Sequence, residues 1–484
     1  MKAEEDSIRA LMGGTSTPLG DPAKAASDGA DAATSAAATP PPQLARHAAV
    51  PSPRASRLLK LGRLAGGLAG GMMAEGVKRL AAGERPKMGD LLLTPANANR
   101  VADRLSELRG AAMKVGQLMS MEAGEFLPPE LTSVLARLRD KAHIMPLGEV
   151  AKVLRANWGA GWEQQFRRFN FTPIAAASIG QVHEAETKDG RRLAIKLQYP
   201  GVRKSIDSDV NNVATLLSLT GALPKELDLK PLLEEAKRQL HEEADYRREA
   251  EHLRHYTRLL HGDERFMVPE LIEELTTADV LAMSFLPGAS IDSVATAPQS
   301  VRDRVGTDLV ELALREVFQW GLVQTDPNFS NYLYDAESGR IGLLDFGASR
   351  PYDLAHTDRF RRLTLAAAAR DREALETLAA EVGYLGGDEG EEYRDAVAQL
   401  LYDAVEPVRL AGPYDYGSTS LATRMGENVR VMRLERRYWR LPPPELLFLH
   451  RKLGGLYLIC SKLRARVDVA GIMQQLEQER LAAA

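Results

Sequence analysis

The stretch QTDPNFSNYLYDAESGRIGLLDFG holds the residues whose types and spacing could best do chemistry. Asp326 and Asn331 stand five positions apart, and Asp345-Phe346-Gly347 follows the apolar run IGLL. An aspartate at the first position can orient a nucleophile, while Asn331 and Asp345 offer oxygen donors suited to Mg²⁺ on nucleotide phosphates. Each piece alone is weak, because Asp-Pro with Asn and Ser nearby also makes turns and a lone DFG arises by chance. Their order, and what precedes them, makes the combination strong.

Upstream, Lys196 closes the alternating run LAIKLQ, and before it lies Ala175-Ala176-Ala177-Ser178-Ile179-Gly180-Gln181-Val182, a small-residue turn between two strand-like segments. Such a turn can lay backbone N–H groups over ATP phosphates while the lysine contacts them from the next strand. Alanines where kinases carry glycines would stiffen it. The lysine also needs a helix-borne carboxylate to fix its ammonium, and Glu249 in HEEADYRREAEH is the choice. On a regular helix Asp245 and Glu249 share a face, whereas Glu243 lies almost opposite Asp245. Either the helix is distorted there or Glu243 serves another partner. In AAMKVGQLMSM, Lys114 and Gln117 share a helix face, and Gly116 allows close approach of another backbone. Met283, in VLAMSFLPG, is assigned with the alanine turn, Ser178, Lys196 and Glu249 to nucleotide binding.

The elements that must position these residues are legible in outline. FRRFNF, QVHEAET and RRLAIKLQ read as strands, the last two joined by a hairpin-type turn at Lys188-Asp189-Gly190. Long helical segments are predicted from Pro231 to about Leu260, followed by two strands in VPELIEEL and VLAMSFLPG. Beyond Ser300 the pattern is helical except around Asn331 to Phe346. Val101, Leu105, Leu108, Ala112, Val115 and Leu118 mark a helix from Ala96 to about Ala123. The predicted fold is α+β, a two-lobed protein-kinase-like architecture with a helical N-terminal extension (96–160), an N-lobe (161–288), and a C-lobe with additional C-terminal helices (289–484).

Residues 1–53 form a low-complexity leader rich in Ala, Pro, Ser and Thr, a mixture too poor in apolar surface to fold. Residues 54–95 are basic and Gly-rich, with Gly62, Gly66 and Gly70 at four-residue spacing. That segment reads equally as a surface attracted to anionic lipid and as a linker or helix packed on its own domain. A net charge of −4 gives no whole-chain reason to expect nucleic acid as a partner. The single cysteine, Cys460, rules out an intramolecular disulfide framework and reads as a buried helical thiol.

The motifs together resemble the UbiB or AarF-type atypical kinases. AAMKVGQ resembles the family's KxGQ motif, AAASIGQVH its alanine-rich loop, EADYRREAE its ExD motif, and LPPPELLFLHRKLGGLYLICSKLRAR its C-terminal helical signature. The resemblance covers about Ala96 to the end. It implies binding of ATP or ADP with Mg²⁺, ATP hydrolysis, and support of ubiquinone or related quinone lipid synthesis. It also implies that Lys114 and Gln117 lie in an extension packed over the active site, with Glu243 and Asp245 as their partners. The family's usual catalytic loop reads HxDPHPGN, and this chain departs from it as Gln324-Thr325-Asp326-Pro327-Asn328-Phe329-Ser330-Asn331. A phosphotransferase acting on a protein or small molecule, and a non-catalytic nucleotide- or lipid-binding scaffold, are the rival functions. A cytoplasmic protein peripheral to the inner membrane is the expected setting. Quinone-related lipids, quinone biosynthesis enzymes and a second copy of the chain are the expected partners besides ATP.

If the basic segment meets lipid, the full chain should sediment with anionic vesicles and release as salt screens charges beyond a Debye length of about 10 Å. Removal of residues 1–90 should reduce that sedimentation; equal sedimentation of the truncated chain would assign lipid contact elsewhere.

Overall fold

The computed structural model describes residues 144–220, 230–387, 389–432 and 442–483. The leader, the basic segment, the predicted 96–123 helix and its Lys114 and Gln117 lie outside the described residues.

A helix, α1 (Leu147–Trp158), leads into strands β1 (Phe166–Phe169), β2 (Ala175–Ala176), β3 (Gly180–Thr187) and β4 (Arg192–Gln198). With β6 (Val280–Ser284) these make a five-stranded antiparallel sheet in the order β1-β3-β4-β6, with β2 paired on β3. The expected hairpin is present, its turn made by Gly190 at φ 88°. Period-two alternation on β4 decides the rest. Leu193, Ile195 and Leu197 point into an aromatic core with Trp162, Phe166, Phe169 and Phe171, against which α1 buries Val150 and Leu154. Ala194 and Lys196 therefore face the other side of the sheet.

That other face is covered by helices. After α2 (Val202–Thr220), the predicted helical segments are α3 (Lys230–Glu243) and α4 (Tyr246–Leu259). The break falls at Ala244-Asp245, where Asp245 leaves helical geometry and its carboxylate accepts the Arg247 N–H, an N-cap. VPELIEEL is not a strand. A single turn of 3₁₀ helix covers Glu273–Leu275, and Leu271 alone makes a bridge to Met283.

The second lobe begins with β5 (Phe266–Met267), which crosses to a four-stranded sheet ordered β5-β10-β9-β7, where β7 is Ala289–Ser290, β9 Tyr332–Asp335 and β10 Arg340–Leu343. Helix α5 (Gln299–Arg315) ends in a π turn over Glu316–Trp320. Two short strands outside the predicted 331–346 window, β8 (Leu322–Gln324) and β11 (Ser349–Pro351), pair antiparallel and bracket the stretch from Asp326 to Gly347. Helices α6 (Leu354–Ala369), α7 (Arg372–Val382) and α8 (Glu391–Ala404) build a second helical core, and α9 (Leu421–Arg430) follows them.

Helix α10 (Pro444–Leu463) runs through the middle, and α11 (Val469–Ala483) closes the chain. Cys460 is fully buried on α10, and burial pushes its thiol up to about 12, as expected of an inert packing residue. No helix of the described residues is long and apolar enough to cross a membrane.

Helix α10 is pinned by a buried charge pair. Lys452 Nζ lies 2.5 Å from Glu316 Oε2, with side chains 2% and 1% exposed. The Tyr256 hydroxyl donates to the other Glu316 oxygen at 2.7 Å. Removing one partner strands a charge in the interior, so Lys452→Met should cost about 3–5 kcal/mol in denaturant unfolding. Adding Glu316→Gln should recover part of that loss, and the absence of any recovery would refute the pair's role.

Candidate functional site

The cleft between the two sheets is organised by Lys196. Its ammonium donates to both Glu249 oxygens at 2.8 and 2.9 Å, and to Asp345 Oδ2 at 3.3 Å. Burial disfavours that ammonium, but Asp345 and Glu249 outweigh burial and hold its pKa well above the usual lysine value. Burial likewise pushes the Glu249 carboxyl up, opposed by the Lys196 ammonium on both of its oxygens. Three elements thus meet at one charge cluster: β4, α4 and the strand end after β10.

The motif around Asp345 is set by close approach. The Gly347 N–H donates to Asp345 Oδ1 at 2.8 Å, and a Cβ on Gly347 would come within 3.2 Å of Glu249 Oε2. Phe346 is buried and packs with tilted rings against Tyr256 of α4 at 5.0 Å between ring centroids. His252 of α4 bonds to the Phe346 carbonyl at 3.1 Å. The helix carrying Glu249 is therefore fastened to the aspartate motif at three points along its length.

In the alanine-rich turn, Ala175 and Ala176 pair with Val182 and Gln181, and the Ala177 N–H closes on the Gly180 carbonyl at 2.9 Å. These alanines take ordinary negative φ, so the turn itself needs no glycine at 175–177. Gly180 does: a Cβ there would lie 2.0 Å from the Leu197 carbonyl oxygen. Ser178 Oγ donates to Glu243 Oε2 at 3.1 Å, so the turn touches the end of α3 directly. Glu243 and Asp245 straddle the helix break, which is how they escape the opposed geometry of a regular helix. Met283 stands opposite Ala194, on the face of the sheet that carries Lys196.

Amides, Gln324 and Asn328, stand where the resembled loop pattern has its two histidines. Gln324 Oε1 accepts the Asp326 N–H at 3.1 Å, while Gln324 Nε2 donates to the carbonyls of Asp326 at 3.0 Å and Asp345 at 3.3 Å. Asn328 Oδ1 caps a 3₁₀ turn by accepting the Ser330 N–H at 3.2 Å. Asn331 Nδ2 donates to the Asp326 carbonyl at 2.8 Å. Asp326, Asn331 and Asp345 are thereby tied into one backbone network.

Sequence reasoning missed three contributors besides Gln324. Arg451 of α10 donates to Asp326 Oδ1 at 2.5 Å, and a charged Arg-Lys pair inside the apolar helix PELLFLHRKLGGLYLIC was the available signal. Gln181 and His183 alternate on one face of β3. Gln181 Nε2 and His183 Nε2 are 2.8 Å apart, His183 Nδ1 meets the Asn170 carbonyl at 2.8 Å, and Gln181 Oε1 accepts the Met145 N–H at 3.0 Å. This chain of bonds ties β3 to the segment entering α1.

An antiparallel five-stranded sheet with a lysine paired to a helical glutamate, above an Asp-Asn loop and a DFG strand end, defines a protein-kinase-like fold. Residues 137–379 match the ABC1 atypical kinase-like domain. The chain is 36% identical over 434 residues to "Atypical kinase COQ8, mitochondrial" of Saccharomyces cerevisiae, covering 89% of this chain and 86% of that one. It is 39% identical over 440 residues to "Atypical kinase COQ8B, mitochondrial" of Rattus norvegicus, with coverages of 90% and 83%. Among solved structures, that of Rv3197 from Mycobacterium tuberculosis in complex with erythromycin superposes with a TM-score of 0.55 at 26% identity, over 79% of this chain and 95% of that one. The chain belongs to the ABC1 atypical kinase family, the UbiB/AarF-type family that its motifs resemble.

His183 gives the site's strand a measurable signature. Burial lowers its pKa to about 4, so the folded state holds it neutral while the unfolded chain titrates near 6.5. The unfolded state then binds the extra proton between those values. The resulting stability is complete above pH 6.5 and is lost as pH falls toward 4, by up to about 3 kcal/mol. A His183→Asn variant should show a flatter stability profile across that window; an unchanged slope would remove His183 as its source.

Proposed function

We propose that the chain binds ATP or ADP with Mg²⁺ in this cleft and hydrolyses ATP, in support of ubiquinone or related quinone lipid synthesis at a membrane surface. The Lys196–Glu249–Asp345 cluster carries this reading, since an ammonium held between two carboxylates beside a turn of small residues is built to meet phosphate. Lys196 would contact the phosphates, Glu249 would hold it in place, and the backbone of Ala175, Ala176, Ala177 and Ser178 would lie over them. Met283 would pack against the nucleotide base from the sheet.

Asn331 and Asp345 would hold Mg²⁺. Among the described residues no group of three His, Cys, Asp or Glu could hold a metal, and two oxygen donors suit a cation that keeps waters and phosphate oxygens as its other ligands. With Asn331 Nδ2 engaged on the Asp326 carbonyl, Oδ1 is the atom left for a cation. When bound, Mg²⁺ neutralises charge on the phosphates. Asp326 would orient the nucleophile, for which water is favoured over a peptide. Only Ala348 to Asp353 separate Gly347 from α6, and three residues in that stretch, Ser349–Pro351, are paired as β11. This stretch is too short to form a platform for a protein substrate. Glu243 and Asp245, at the α3–α4 break, would be the partners of Lys114 and Gln117 in the extension.

The relatives named COQ8 and COQ8B support the quinone assignment, and both are named as mitochondrial. The basic segment 54–95 supports peripheral contact with anionic or quinone-related lipid, with the chain cytoplasmic and seated at the inner membrane surface. Quinone biosynthesis enzymes and a second copy of the chain are partners consistent with that setting.

Asp345→Asn should remove most Mg²⁺-dependent nucleotide affinity, because a metal bridging phosphate oxygens loses its anionic ligand. Calorimetry with ADP in Mg²⁺ and in chelator tests this, and unchanged affinity in Mg²⁺ would overturn the site. Phosphate release from Mg-ATP, with and without anionic liposomes, separates hydrolysis from a silent scaffold.

A further inference from the structure

Helix α10 meets the loop that carries Asp326 at three places. Arg451 donates to Asp326 Oδ1 at 2.5 Å, with only 12% of the arginine side chain exposed. One turn on, a Cβ at Gly455 would lie 2.3 Å from Pro327 Cγ, so the helix backbone is seated on the residue after Asp326. Two turns further, the Lys462 ammonium stands 4.6 Å over the ring of Phe329. Between these contacts, Lys452 anchors the helix to Glu316, and Tyr256 joins that pair to the Phe346 ring. The helix thus contacts both halves of the site, the Asp326 loop directly and the Asp345 motif through Tyr256.

We propose that Arg451 is a positioning residue for phosphoryl transfer, supplied by the C-terminal helix. Its guanidinium occupies Oδ1 of Asp326 and leaves Oδ2 as the oxygen that meets the nucleophile, so the carboxylate has one orientation instead of two. It also sets a fixed positive charge on the loop where charge develops as the phosphoryl group transfers. An arginine suits this task because its donors form a rigid fork, whereas lysine offers a point charge. Gly455 is the second half of the arrangement, since it sets the separation between α10 and Pro327 at which the guanidinium reaches the aspartate.

The inference rests on the reading of the chain as an ATPase. The test is steady-state phosphate release from Mg-ATP by the full chain, with Mg-ADP affinity measured by calorimetry. Arg451→Met should lower kcat by about tenfold or more while KM and the ADP Kd move less than about twofold, the mark of an interaction made in the transition state. Arg451→Met should add little further loss in an Asp326→Asn background, because the arginine acts through that carboxylate. Arg451→Lys should retain more activity than Arg451→Met, and added methylguanidine should restore part of the Arg451→Met loss. Gly455→Ala should lower kcat in the same manner, and Gly454→Ala, whose Cβ would meet nothing within 4 Å, should not.

Wild-type kcat in Arg451→Met, additive losses with Asp326→Asn, or equal effects of alanine at 454 and 455 would overturn the proposal. If Arg451→Met fails to fold, wild-type kcat in both Arg451→Lys and Gly455→Ala overturns it instead. Absence of phosphate release by the wild-type chain would overturn the ATPase reading, and this inference with it.

Discussion

The ion pair between Lys196 and Glu249 is the interaction on which the rest of the site depends. Both groups are buried, and a buried charge is tolerable only when its partner is present and well placed. For that pairing to exist, β4 must present Lys196 on the face away from the aromatic core, and α4 must turn Glu249 inward. Asp345 then joins the cluster from the second lobe, so a single electrostatic requirement fixes the sheet, the helix and the DFG segment relative to one another. The glycines reflect the same crowding. Gly347 lies against Glu249, and Gly180 lies against the backbone of β4 one residue beyond Lys196.

Much of this architecture is readable in the sequence where one period dominates. The β3–β4 hairpin follows from alternation and a Lys-Asp-Gly turn, and the DFG strand from its apolar lead-in. Lys196, Glu249 and Asp345 come together as their motif order suggests. The exact boundary between α3 and α4 is harder to read, because Ala244 is a strong helix former and the helical pattern runs on through it. What ends α3 is the capping by Asp245, a signal the pattern masks. VPELIEEL reads as a strand on composition but is used as a connection, with one residue bridging to Met283. Strands β8 and β11 are three residues each, too short to carry a period. Arg451 is invisible to motif spacing for a different reason. It meets Asp326 from the far end of the chain, a contact that depends on where the helix docks.

The helix break also has a role beyond geometry. A continuous helix would send Glu243 and Asp245 to opposite sides. The kink lets the end of α3 receive Ser178 from the alanine-rich turn while Asp245 caps α4. The sheet is therefore joined to both helices, to α3 through Ser178 on Glu243 and to α4 through Lys196 on Glu249. Movement of one without the other would break a bond.

Gln324 carries a consequence of its own. A histidine in this position can gain a proton near neutrality and can bind transition metals, and each event would disturb whatever its ring nitrogens hold. A carboxamide does neither. Both ends of the Gln324 amide are engaged on the backbone of Asp326 and Asp345, so the register between the two acidic segments is held by a group whose charge never changes. These Gln324 contacts should therefore persist in acidified or zinc-rich surroundings alike, whatever the carboxylates around them do.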